Sequence, residues 1–93
     1  MNIVPYPEWK KPSSIDILSI SVDTKSKLIY VTDSAHKITI FSNKGEFIRK
    51  WTCACPMLNV SANSHGKLVF AVGYEGLFVY DTFGNILERF SID

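Results

Sequence analysis

The chain has 93 residues, 46% hydrophobic and 20% charged, with ten Lys and Arg against nine Asp and Glu for a net charge of +1. This is the usage of one globular domain and excludes disorder, collagen and coiled coil. No apolar run reaches the ~20 residues of a membrane helix, the N-terminus lacks the basic and apolar regions of a secretory signal, and near-neutral charge argues against a nucleic-acid partner.

Residues 1–14 come first. Pro5, Pro7 and Pro12 forbid a regular helix, and Ile3, Val4, Tyr6 and Trp9 give the segment apolar content. The expectation is an extended arm packed along the same or a neighbouring subunit. Four short apolar segments follow, at 15–22, 28–32, 38–42 and 47–51, each β-branched or aromatic in bias. Four more lie at 57–62, 68–72, 77–81 and 86–91. Turn formers separate them, such as Asn43-Lys44-Gly45 and Thr82-Phe83-Gly84-Asn85. No window carries a capped helical period, so all eight read as strands of antiparallel meanders. The runs 28–31 and 68–72 are almost wholly apolar and suggest strands buried on both faces. Arg49-Lys50 and Glu88-Arg89 place charge on the last strand of each set, which suits an exposed edge.

The two sets are repeats. Leu18-Ser19-Ile20-Ser21-Val22 aligns with Leu58-Asn59-Val60-Ser61-Ala62, an offset of 58 − 18 = 40. Lys27-Leu28-Ile29-Tyr30-Val31 aligns with Lys67-Leu68-Val69-Phe70-Ala71 at the same offset. One residue drops out in the next loop, and Ile38-Thr39-Ile40-Phe41 aligns with Leu77-Phe78-Val79-Tyr80, an offset of 77 − 38 = 39. Gly45 then aligns with Gly84 and Trp51 with Phe90.

Four strands per ~40 residues is the period of a β-propeller blade. The run Leu28-Ile29-Tyr30-Val31-Thr32-Asp33-Ser34-Ala35-His36-Lys37-Ile38-Thr39-Ile40-Phe41, followed by Gly45-Glu46-Phe47-Ile48, resembles an NHL repeat. That family's pattern runs strand, Val-x-Asp-Ser, a polar turn, a basic residue, Ile-x-x-Phe and Gly-x-Phe. The second repeat departs from it: Gly73-Tyr74-Glu75-Gly76 replaces the Asp-Ser…His-Lys turn. The resemblance covers roughly residues 15–91. It implies an all-β chain of two four-stranded antiparallel blades, blade 1 at 15–52 and blade 2 at 53–93. The function stays open, because NHL-like propellers include RNA binders, protein-binding scaffolds, lyases and lactonases.

Two blades leave two apolar faces bare, while propellers run to about four to eight blades. The expected solution is head-to-tail self-association, most simply a homotrimer of about six blades. Tyr30, Val31, Val69, Phe70 and Phe78 are the candidate oligomer contacts, and a charge at Val31 or Val69 is expected to abolish assembly and folding. The rival solution is a subunit or fragment docked in a larger hetero-complex, its faces covered by another propeller-containing protein.

Alternate loops of such meanders fall on opposite rims. One rim gathers Asp33, Ser34, His36, Lys37, Tyr74 and Glu75, together with Cys53 and Cys55, and this is the candidate ligand or partner rim. The plain alternatives are an Asp33 that bonds its own turn, with His36 and Lys37 as solvated loop tips. Two cysteines are too few for a disulfide framework, so a reducing, cytoplasmic setting is expected, with both as plain thiols at a strand junction. No nucleophile with a base, no acid pair, no metal cage and no phosphate cradle is visible, so neither catalysis nor a cofactor is expected. An enzyme of the lyase or lactonase type would need a channel metal, for which only a ring of Asp16 or Asn59 from several copies offers ligands. For nucleic acid, Lys10-Lys11 and Arg49-Lys50-Trp51 are short and not supported by net charge. The expected job is non-catalytic: binding or scaffolding at a rim.

Overall fold

The structure is a computed structural model, and it describes residues 15–63, 65 and 67–91. The arm expected at 1–14, with Lys10 and Lys11, lies outside the described residues. Eight strands follow in order: β1 (Ile17–Asp23), β2 (Leu28–Asp33), β3 (Lys37–Ser42), β4 (Phe47–Thr52), β5 (Met57–Asn63), β6 (Leu68–Gly73), β7 (Gly76–Asp81) and β8 (Ile86–Phe90). They form two four-stranded antiparallel sheets, β1-β2-β3-β4 and β5-β6-β7-β8. Every predicted strand is present, and no helix occurs among the described residues.

The repeat holds at the level of single pairings. Tyr30 pairs with Ile40 in the first sheet and Phe70 with Val79 in the second. Ile40 pairs with Arg49, and Val79 with Glu88. Irregularities recur at matching places, between Ile17 and Ser19 and between Met57 and Asn59. A second matched pair lies between Ile40 and Phe41 and between Val79 and Tyr80. The turns match as well. Ser42 Oγ accepts from the Lys44 and Glu46 N–H groups at 3.1 and 3.2 Å. Asp81 Oδ1 accepts from the Phe83 and Asn85 N–H groups at 2.8 and 2.9 Å. Hydrogen bonds from Asn85, side chain first, hold the exposed Asp81 carboxyl below its ordinary range. Each turn closes with a glycine at positive φ, 86° at Gly45 and 92° at Gly84, as hairpin loops with an αL residue require.

The core lies between the sheets. The first sheet contributes Tyr30, Thr32, Ile38 and Ile40; the second contributes Met57, Val60, Val69, Ala71, Phe78 and Tyr80. β5 lies against both β1 and β2. Each fully buried Leu-, Ile- or Phe-sized side chain stabilises the fold by roughly 1.5–3 kcal/mol. Side chains alternate along a strand, so β2 buries Tyr30 and Thr32 while Val31 and Asp33 are half-buried on its other face. In β6 the buried set is Val69, Ala71 and Gly73, and Phe70 and Val72 turn away. Within one chain, then, β2 and β6 are buried on one face rather than on both as their uniform apolar content suggested. The two repeats use opposite parities, so equivalent residues point to opposite sides of the junction.

Candidate functional site

The expected rim is built mainly of turn chemistry. Asp33 Oδ1 accepts from the backbone N–H of Ala35 at 2.9 Å and of Lys37 at 3.1 Å. Ser34 Oγ accepts from the Asp16 N–H at 2.8 Å, and the Ser34 N–H donates to the Asp16 carbonyl at 2.8 Å. His36 takes the left-handed backbone, φ 69°, and its carbonyl accepts from the Cys53 N–H at 2.6 Å. These bonds tie the β2–β3 turn to β1 and to the crossing between the sheets. In the second repeat Tyr74 is 82% exposed. Glu75 pairs with Arg89 at 3.3 Å, both side chains about half exposed. The guanidinium of Arg89 also lies 5.0 Å from the Phe78 ring.

Cys53 and Cys55 lie beside the β2–β3 turn, but they present no thiol at the rim surface. Both are free thiols buried in the core. Their separation by two residues points both side chains inward as the chain crosses from β4 to β5. Burial pushes the Cys53 thiol up, with a smaller contribution from neighbouring Cys55. Burial also pushes the Tyr80 and Tyr30 hydroxyls up, Tyr80 the more because it hydrogen-bonds to Cys53. Gly73 is small for a packing reason: a Cβ there would sit 2.7 Å from Cys55 Sγ and from the Pro56 carbonyl oxygen. Among the described residues, no group of three or more His, Cys, Asp or Glu could hold a metal ion. No helix among them is long and apolar enough to cross a membrane.

The candidate interface residues divide. Tyr30, Val69 and Phe78 are at most 1% exposed and belong to the core within the chain. They are therefore not available to another copy. Val31 and Phe70 are half-buried on the opposite faces. Those faces are apolar. On the first sheet Ile20, Val22 and Phe47 are exposed beside half-buried Ile29, Val31 and Phe41. On the second, Phe70, Val72 and Leu77, with Asn59 and Ser61, line a shallow depression of about 190 Å³, and Phe90 is exposed beside it.

Equivalence between repeats gives these faces their meaning. The side of the second sheet turned away from the first carries half-buried Phe70, Val72 and Leu77 and, by its pairing with Phe70, the buried Val79, which match Tyr30, Thr32, Ile38 and Ile40. The open face of the first sheet carries Ile29, Val31, Thr39 and Phe41, which match Val69, Ala71, Phe78 and Tyr80. Each open face is thus the repeat counterpart of one side of the junction already packed inside the chain.

The junction also has polar and aromatic locks. The Trp51 and Tyr80 rings are 5.5 Å apart. Gly84 lies so close under Trp51 that a Cβ would come within 2.7 Å of the indole. Arg49 Nη1 donates to the Thr82 carbonyl at 2.8 Å, and its guanidinium lies 4.5 Å from the Phe83 ring. Arg49 is therefore half-buried and bridges the two sheets, not the solvated edge charge that the sequence suggested. Strand alternation and alignment between repeats could have found this junction, but not the inward turn of the thiols. No protein-family model and no curated protein matches the chain.

Proposed function

We propose that the chain is a non-catalytic binding or scaffold module whose two sheets are blades of a β-propeller completed by head-to-tail association of copies. One observation carries the reading: the two open faces are repeat equivalents of the two faces of the intrachain junction. A second copy can therefore repeat, at each open face, the packing that the chain makes with itself. The NHL-like pattern at 28–48 and the four-strand period support the same reading. So does the apolar character of the open faces, since large exposed apolar patches are rare on monomers and mark interfaces. A heterologous contact of this kind closes into a ring when its rotation closes, and about six blades from three copies is the simplest closure. The assembled rim, with His36, Lys37, Tyr74 and the Glu75–Arg89 pair, is the place proposed for a ligand or protein partner. The test is native mass by light scattering behind size exclusion on the purified chain. A mass near three times 10.5 kDa supports the ring. A monomeric mass at high concentration overturns it and favours docking in a hetero-complex.

A further inference from the structure

The intrachain junction can be carried one step on by the repeat offset of 39. Arg49 of the first sheet matches Glu88, and Trp51 matches Phe90. Across the junction, Phe83 matches Lys44, and Gly84 matches Gly45. Repeating on a second copy the place where Arg49 lies over Phe83 would set Glu88 against Lys44. Repeating the place where Trp51 covers Gly84 would set Phe90 over Gly45. The structure leaves room for this: a Cβ at Gly45 would meet nothing within 4 Å, Phe90 is 49% exposed, and Glu88 and Lys44 are both exposed.

We propose that strand β8 of one copy docks on the β3–β4 turn of a second copy, Phe90 across Gly45 and Glu88 paired with Lys44, and that this ion pair sets the direction of assembly. The inference rests on the self-association reading and names the partner as a second copy presenting its first sheet. The charges discriminate among possible junctions. A second sheet on a first sheet brings Glu88 to Lys44, whereas a second sheet on another second sheet would bring Glu88 to the uncharged Phe83 position and leave it without a cation. The apolar packing supplies affinity and the pair supplies the choice of face.

The experiment compares wild type, Glu88→Lys, Lys44→Glu and the double exchange, each by light scattering behind size exclusion over a dilution series. Because both residues are exposed, the variants are expected to fold, and circular dichroism checks this. Each single variant is expected to weaken assembly by about tenfold or more, and the double exchange to restore it to within about threefold. Singles that assemble like wild type, or a double exchange no better than the singles, overturn the pair while leaving self-association standing. A wild-type chain that stays monomeric overturns self-association and the pair with it.

Discussion

Gly84 and Gly45 occupy the same place in the two repeats, at nearly the same backbone angle, 92° and 86°. One lies under an indole ring and the other under nothing. The difference shows how a repeat chain of this kind works. Local sequence builds the same turn twice, but only one copy of the turn has a neighbouring sheet within the chain to cover it. The residues that do the covering, Trp51 and Arg49, also have counterparts, Phe90 and Glu88, which stand on an exposed strand with no sheet of this chain to meet. The uncovered faces are therefore the repeat counterparts of the covered junction.

The most severe way to break the covered half is Val69→Asp. Val69 is wholly buried, and a carboxylate there has no partner and costs at least about 3 kcal/mol. Loss of the cooperative thermal transition in circular dichroism is the expected result. Val31→Asp, on the open face, should keep the monomer fold to within about 1 kcal/mol and act on assembly instead. The sequence alone put both residues in one class; the structure separates them.

Alkali should act next, again on the covered half. The native state holds the protons of Cys53, Tyr80 and Tyr30 to higher pH than the unfolded chain does. Their contribution is full below the ordinary thiol value of 9.0 and is lost as pH rises from there through the native values. The melting midpoint should fall steadily above that pH, and less so in Cys53→Ala. A midpoint indifferent to alkali would count against a buried, protonated cluster.

The glycines themselves sharpen the comparison. Gly84→Ala adds a clash with Trp51 to left-handed strain and should cost about 2–3 kcal/mol. Gly45→Ala carries the strain alone and should cost about 1 kcal/mol in dilute monomer. Chemical denaturation of both reads the difference. In an assembled state the two costs should converge, because Phe90 then stands where Trp51 does.

The arginines divide in the same way. Arg49→Ala removes a cation over Phe83 and a part-buried hydrogen bond, for about 1–2 kcal/mol. Arg89→Ala removes an exposed pair with Glu75 and a contact with Phe78, for less than about 1 kcal/mol. Equal losses for the two would mean that Arg49 does not lock the junction.

What the sequence determined by itself was the local order: eight strands, their antiparallel succession, the repeat with its one-residue slip, and the turns at Asp33, at Asn43-Lys44-Gly45 and at Thr82-Phe83-Gly84-Asn85. Turn chemistry and β-branched runs are properties of neighbouring residues, so they can be read from one chain. Asp33 was legible in this way as a residue that bonds its own turn. What only the tertiary structure decided was which side of each strand lies inside. In β2 and β6 both parities are apolar, so alternation cannot choose between Tyr30 and Val31, or between Val69 and Phe70. The choice depends on which face meets the other sheet, and the answer is opposite in the two repeats. The thiols were decided in the same way. Cys53 and Cys55 sit in a crossing segment whose composition suits a rim, and they are buried because the two sheets close over the crossing.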